Sequence, residues 1–329
     1  MRICICGGGS LGHVCTGVLS SNNDVDINIY SGHPEKWSKS IIVSDLNGKQ
    51  YAADIKIISD NPSEVVVDQD IILFCLPGFL IEKVMREIKP FVGTAAVGSV
   101  VSSTGFFFFA HKILGNSAKL FGFQRVPYIS RVAEYGKTAN LLGYKSSLSV
   151  VLEGIDDREA FRAKLENLFL TPVKLLDSFY EVSLSNSNPI LHTGRLFTMF
   201  KGRENEVFDH NILFYKEWND EASQKLIDMD NEFFNLLHIL KIKSIPSLLD
   251  YYECFDAHSL TKKISSIPAF QTILSPMKLV NGGWVADFES RYFTEDFPYG
   301  LRWIQELAKE KEIDTPIIDE VYSWGMSRI

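Results

Sequence analysis

The sequence predicts an α/β chain in two parts: an amino-terminal, doubly wound parallel sheet and a mostly α-helical second half. Three observations carry this. Short β-rich runs alternate with helical segments over the first half, the rhythm of strand–helix–strand crossovers beneath a sheet covered on both faces. A glycine-rich turn, Gly7-Gly8-Gly9-Ser10-Leu11-Gly12, stands between the first such run and the first helical segment. From about Ser183 onward, long segments of helical periodicity replace the short runs.

Taken in order, Arg2 to Cys6 reads as a compact strand, followed by the glycine turn and a helix from about Ser10 to Ser20. Val25 to Tyr30, Ile55 to Ile58, Ile71 to Leu76 and Ala95 to Val100 read as further strands, with a helix Ile81 to Ile88 between the last two. The run Phe106 to Phe109 reads as buried core. Ser146 to Leu152 alternates apolar and polar residues and predicts an edge strand. Beyond the boundary, helices are expected over Ile190 to Phe200, Ile212 to Leu240, Ile245 to Phe255 and Tyr299 to Lys311. In the second of these, Leu226, Met229, Asp230, Phe233, Leu236, Leu237 and Leu240 form one stripe. The domains expected are therefore 1–183 and 184–329.

The chain has 329 residues, 46% of them hydrophobic, enough for two cores. A formal net charge of −8 argues against a general nucleic-acid or anionic-membrane binder, because phosphate surfaces repel such a protein. No apolar run approaches the roughly 20 residues needed to span a bilayer. The start, Met1 to Cys6, is too soon broken by glycine for a signal peptide. Five cysteines without paired spacing point to reduced thiols and a cytoplasmic address. Cys4 and Cys6 share one strand face, but no further soft ligands accompany them and no metal site is expected.

The glycine turn fits G-x-G-x-x-G in a strand–turn–helix context, the fingerprint of a Rossmann dinucleotide-binding fold. Gly7 permits the tight turn, Gly9 lets a pyrophosphate approach the backbone, and Gly12 allows close helix–strand packing. The N–H groups at Ser10 and Leu11 then face the anion. No acid ends the second strand to hold a ribose 2′-hydroxyl. Ser31, His33 and Lys36 stand there instead and favour NADP over NAD. Leu76-Pro77 closes a buried strand at the carboxyl edge of the sheet, where a dinucleotide crosses, and is expected to touch it.

Two segments of the second half concentrate reactive groups. In Asn188-Pro189-Ile190-Leu191-His192, Asn188 is expected as the helix N-cap, Pro189 at the first helical position and His192 in the first turn. In Arg291-Tyr292-Phe293-Thr294-Glu295-Asp296, Arg291 suits a substrate carboxylate, and a carboxylate such as Asp296 beside a histidine would orient the ring and raise its basicity.

At these segments the sequence resembles the opine dehydrogenase family, and the resemblance runs nearly the whole chain. It is carried by Phe121-Gly122-Phe123-Gln124-Arg125-Val126-Pro127-Tyr128-Ile129-Ser130-Arg131 with Glu134-Tyr135-Gly136, by Asn188-Pro189 with His192, and by Arg291-Tyr292 with Glu295-Asp296 and Pro298-Tyr299-Gly300-Leu301. The resemblance implies that His192 is the catalytic histidine, that Asp296 is its partner, and that Arg291, Asn188 and Tyr128 bind substrate. Tyr128 stands where many members carry tryptophan, which bears on the amino-acid preference. The implied reaction is a reductive condensation in which an amino acid and a 2-oxo acid form an imine that takes hydride from NADPH or NADH. The partners implied are these small molecules, with neither nucleic acid nor membrane, and a homodimer accords with the pattern. Two other readings share the first domain. A ketopantoate-type or other 2-hydroxy-acid reductase lacks its lysine and asparagine pattern here. Against a non-catalytic NADP-binding sensor stands the joint presence of His192, Arg291 and Asp296.

Overall fold

The structure, a computed structural model, describes residues 1–22 and 24–329 and divides into two compact units, Met1–Ser185 and Asn186–Ile329. The first unit is built on one sheet of eleven strands. In chain order these are β1 (Arg2–Cys6), β2 (Asp26–Tyr30), β3 (Ser40–Asp45), β4 (Gln50–Ser59), β5 (Ile71–Phe74), β6 (Ala96–Ser99), β7 (Leu120–Phe123), β8 (Tyr128–Glu134), β9 (Thr138–Tyr144), β10 (Leu148–Glu153) and β11 (Val173–Leu175). Across the sheet they run β11-β10-β7-β6-β5-β1-β2-β4-β3-β9-β8.

The six central strands, β7-β6-β5-β1-β2-β4, are parallel, with Ile3 of β1 facing both Ile27 of β2 and Ile71 of β5. Chain order reverses direction across β1, the switch point at which ligands of doubly wound sheets bind. The sequence explains the centre: β5 (Ile-Ile-Leu-Phe) is buried at every position, the mark of a strand covered on both faces. The flanks were less legible. The strand expected at the edge, Ser146 to Leu152, is the interior strand β10, antiparallel to β7 and parallel to β11. Its alternation misleads because the further strand β11 pairs beside it, with half-buried Ser149 opposite Lys174.

The aromatic run begins the helix Phe106–Leu114, where Phe106, Phe107 and Phe109 are buried. The helix Ser10–Ser20 packs His13, Val14, Cys15, Val18 and Leu19 inward and so anchors the glycine turn at its amino end.

The second unit is mostly helical. Asn188–Phe200, Asp220–Ile239, Leu248–Tyr252, Ala257–Ser266, Arg302–Glu310 and Pro316–Met326 are its larger helices, beside a hairpin of Met277–Val280 and Gly283–Ala286. The helix expected from Ile212 starts only at Asp220. Asn219 caps it by accepting the Ala222 N–H at 3.0 Å, and Asp220 and Glu221 suit the positive end of the dipole. The segment before it is irregular and bridges Leu213 to Leu274. The helix expected over Ile245 to Phe255 shortens to Leu248–Tyr252, capped by Ser247 and ended by Glu253 at φ +56°. The expected helix from Tyr299 is preceded by a π-helical turn, Phe297–Leu301. The buried carboxylate of Glu232 accepts the N–H groups of Ile317 and Ile318 and fixes the start of the last helix.

Candidate active site

The glycine turn lies at the carboxyl end of β1. Gly7 sits at φ +123°, and its N–H donates to the Tyr30 carbonyl of β2 at 3.0 Å. A Cβ at Gly7 would meet the Cys75 carbonyl oxygen at 2.5 Å and Leu76 Cδ2 at 2.9 Å, so Leu76 packs directly on the turn, with Pro77 following as the cap of the helix Gly78–Ile88. A Cβ at Gly12 would fall on the Gly7 carbonyl oxygen. These two glycines serve the fold.

Gly9 differs. It is exposed, holds an ordinary extended conformation (φ −80°, ψ −173°), and its Cβ direction points into space clear of any described atom within 4 Å. It stands at the N-cap without a side-chain bond, ahead of helical N–H groups that need an acceptor. The local chain has no use for glycine here, whereas an anion laid across the helix end does. The turn therefore fits a dinucleotide pyrophosphate at Gly9, Ser10 and Leu11. Ser10 Oγ accepts the Val132 N–H of β8 at 3.1 Å, which ties the turn to the edge of the sheet.

Of the three residues expected at the ribose, Ser31 is enclosed. Its Oγ accepts the Trp37 indole N–H at 3.2 Å and the His33 N–H at 3.3 Å, and so organises the loop. His33 and Lys36 are exposed, with Glu35 3.5 Å from the His33 ring. The sequence reading missed His13 and Tyr135. Buried His13 donates from Nδ1 to the Gly9 carbonyl at 3.0 Å and accepts the Gly136 N–H on Nε2 at 2.7 Å. Burial lowers its pKa, which suits this neutral tautomer. It stacks on Trp37 with centroids 4.2 Å apart. The clamp carries the neighbouring Tyr135, whose hydroxyl lies against Gly8. Tyr135 was within the family-like block, but spacing gave no sign of its place.

In the second unit His192 is the fifth residue of the helix Asn188–Phe200, one residue later in the helix than expected. Asn188 is the first helical residue rather than the cap. Ser187 is the cap, and Asn188 donates its N–H to Asn186 Oδ1 at 3.2 Å. His192 is 9% exposed, and its Nδ1 lies 2.8 Å from Asp296 Oδ2. Asp296 immediately precedes the π-helical turn, a distortion frequent at functional sites, and its carbonyl accepts the Leu301 N–H at 2.8 Å. A carboxylate only accepts, so Nδ1 carries the hydrogen and Nε2 is left as the basic nitrogen. Nε2 meets the Tyr215 hydroxyl at 2.9 Å, and Tyr292 and Phe214 close over the ring with centroids at 4.8 and 5.7 Å. Burial, then the nearby Tyr292, Tyr252 and Asp296, pushes the Tyr215 phenol well above its usual range and keeps it protonated.

The Tyr215 ring stacks between Trp218 and Phe270. Its loop is braced by buried Arg195, which donates to the Phe214 and Glu217 carbonyls at 3.3 and 2.7 Å and lies over Trp218. Burial lowers the Arg195 pKa to about 10, still charged at neutral pH. Tyr215 escaped the sequence reading because its segment was merged with the following helix.

Arg291 is 83% exposed at its side chain, with Glu295 Oε1 3.6 Å away. Tyr128, expected at the substrate, lies elsewhere. Its ring is fully buried in the core of the first unit, stacked on Phe169, and its hydroxyl donates to the Phe169 carbonyl at 3.0 Å. A phenol enclosed and bonded in this way supports β8 and has no face for a substrate. Among the described residues no group of three or more His, Cys, Asp or Glu is placed to hold a metal ion, and no helix is long and apolar enough to cross a membrane.

Residues 175–328 match the family described as NAD/NADP octopine/nopaline dehydrogenase, alpha-helical domain. The chain is 25% identical to octopine dehydrogenase of Pecten maximus, over 100% of this chain and 90% of that one. It is 26% identical to tauropine dehydrogenase of Arabella iricolor, over 98% and 89%. Among solved structures, octopine dehydrogenase with NADH and L-arginine superposes with a TM-score of 0.86 at 24% identity, covering 100% of this chain and 89% of the other.

Proposed function

We propose that the chain is an opine-type dehydrogenase of the NAD/NADP octopine/nopaline dehydrogenase family, whose alpha-helical domain residues 175–328 match, and that it joins an amino acid to a 2-oxo acid by reductive condensation. The observation that carries this reading is the pair of buried His192 and half-buried Asp296 at 2.8 Å, assembled from segments 104 residues apart. The companion readings, a 2-hydroxy-acid reductase or a sensor, have no comparable support.

Gly9, Ser10 and Leu11 would hold the dinucleotide pyrophosphate by their backbone, and Leu76 and Pro77 flank the turn. When bound, the dinucleotide supplies the hydride that reduces the imine carbon. Asp296 fixes the His192 tautomer and stabilises the imidazolium when the ring takes a proton on Nε2. Tyr292 and Phe214 exclude water from the ring, so the proton exchanges with a partner rather than with solvent. Arg291, extended into solvent, offers a bidentate guanidinium to a substrate carboxylate, and exposed Asn188 offers its amide to a polar group of the amine partner. The exposed side chains of His33 and Lys36 support a preference for NADPH over NADH. Five unpaired cysteines, four of them buried, support a reducing, cytoplasmic setting.

The test follows nicotinamide absorbance with NADPH and NADH, using pyruvate, 2-oxoglutarate, glyoxylate and oxaloacetate, each with and without a panel of amino acids. Oxidation that requires both an oxo acid and an amine is expected. Oxidation by an oxo acid alone would replace this reading with a 2-hydroxy-acid dehydrogenase.

A further inference from the structure

We propose that Tyr215 is the proton relay between His192 and the substrate, a role that rests on the opine-type reading above. Both ring nitrogens of His192 are engaged, Nδ1 by Asp296 at 2.8 Å and Nε2 by the Tyr215 hydroxyl at 2.9 Å. The ring is 9% exposed and covered by Tyr292 and Phe214. In this arrangement neither ring nitrogen is free, and the proton on Nε2 passes to the Tyr215 oxygen.

The hydroxyl is held for this. Its ring lies between Phe270, with centroids 4.5 Å apart, and Trp218, at 6.0 Å and nearly parallel (7°). Arg195, three residues beyond His192 on the same helix, grips the carbonyls on both sides of Tyr215, at Phe214 and Glu217, and covers Trp218. An arginine buried against carbonyls rather than a carboxylate is an expensive brace, since burial penalises its charge. Its effect is to fix the loop that carries Tyr215 to the helix that carries His192.

The step balances in both directions. In reduction, imidazolium Nε2–H returns its proton to Tyr215 Oη as the Tyr215 O–H proton passes to the imine nitrogen. The imine carbon then accepts the hydride, and the two electrons come from the dinucleotide. In oxidation, the substrate nitrogen gives its proton to Tyr215 Oη, the phenolic proton moves to Nε2, and Asp296 holds the imidazolium. Tyr215 ends each turnover neutral.

The test compares wild type, His192→Gln and Tyr215→Phe on the amine–oxo acid pair found active. Tyr215→Phe keeps the ring between Trp218 and Phe270 and removes only the oxygen. The relay predicts a fall in kcat of roughly 10²-fold or more, with KM and dinucleotide Kd unchanged, as for loss of a general acid. It also predicts a wild-type solvent deuterium effect with two protons in flight that falls to one or none in the variant. Nitrogen NMR of His192 gives a readout apart from turnover. Loss of the phenolic donor should move the Nε2 resonance, and an unchanged Nε2 resonance would overturn the contact. Turnover within about threefold of wild type in Tyr215→Phe, with His192→Gln inactive, would overturn the relay and leave the opine reading standing. A lower KM for the oxo acid with kcat retained would make the hydroxyl a placeholder that substrate expels, and would also overturn the relay. A wild type without amine-dependent turnover overturns the opine reading and the relay with it.

Discussion

Replacing Gly9 with alanine separates what the glycine turn does for the chain from what it does for a ligand. At φ −80° and ψ −173° alanine is unstrained, and its methyl group would point into space clear of described atoms within 4 Å. Two small effects on stability oppose each other. Alanine is a poorer N-cap than glycine by roughly 0.5–1 kcal/mol. Its stiffer unfolded chain returns about 0.4–1 kcal/mol. The net change should stay below about 1 kcal/mol, a shift in Tm of a few degrees at most. The same methyl group lies where a pyrophosphate would cross the helix end, and overpacking a close contact costs about 1–3 kcal/mol, or roughly 5- to 150-fold in Kd. Gly12→Ala makes the contrast, because its Cβ falls on the Gly7 carbonyl oxygen and the backbone itself must shift. Thermal unfolding without dinucleotide, followed by fluorescence titration with NADPH and NADH, measures both quantities. Gly9→Ala should melt near wild type and bind poorly, whereas Gly12→Ala should lose stability as well. Wild-type affinity for both dinucleotides in Gly9→Ala, within about twofold, would refute the pyrophosphate placement.

Three further outcomes are expected. His192→Ala should cut turnover by roughly 10²-fold or more while leaving dinucleotide binding intact, and near-wild-type turnover would remove His192 from the chemistry. Lys36→Ala should raise the KM for NADPH by roughly five- to tenfold with little change for NADH, the loss of one exposed charge-assisted bond to a phosphate, and equal effects on both would deny Lys36 that contact. Asp230, buried on the core stripe, has its pKa raised from 3.8 to about 6, first by desolvation. Its folded form therefore holds a proton more tightly than the unfolded chain, so its stability contribution is best at low pH and is lost as pH rises from about 4 through about 6. That difference corresponds to about 3 kcal/mol. Stability curves of wild type and Asp230→Asn should diverge by up to that amount, in favour of asparagine, between about pH 4 and 8. A pH-independent difference would rule out titration of Asp230 in that window.

The parallel core of the first unit was legible because its strands are buried on both faces and their composition is nearly pure. Ile71 to Phe74 reads as a strand in any context. The flanks were not, because β3–β4 and β8–β9 are hairpins that the reading passed over, and they join one another through a pairing distant in sequence, Ile42 with Thr138, which no local pattern records. In the second unit apolar periodicity was overridden by a cap. Ile212 to Trp218 continues the pattern of the next helix, but Asn219 supplies a side-chain acceptor that starts the helix at Asp220 and frees the preceding residues for other contacts.

That release is what builds the site. Had the helix begun at Ile212, Tyr215 would point where 3.6-residue spacing sent it. As an irregular segment it is instead held through its neighbouring carbonyls by Arg195, and its hydroxyl reaches His192 Nε2. The same logic governs Asp296, set by a π-helical turn rather than by continued α-helix. Sequence could supply His192 and Asp296 through resemblance because their residue types recur in a recognisable block. Tyr215 and the Arg195 brace carry no such mark. An arginine inside an apolar stretch reads as a misplaced surface charge until the carbonyls it satisfies are seen. The residues that make the pair specific were thus hidden where periodic pattern and tertiary demand disagree, and a misfit between the two is the sequence-level sign to look for in related chains.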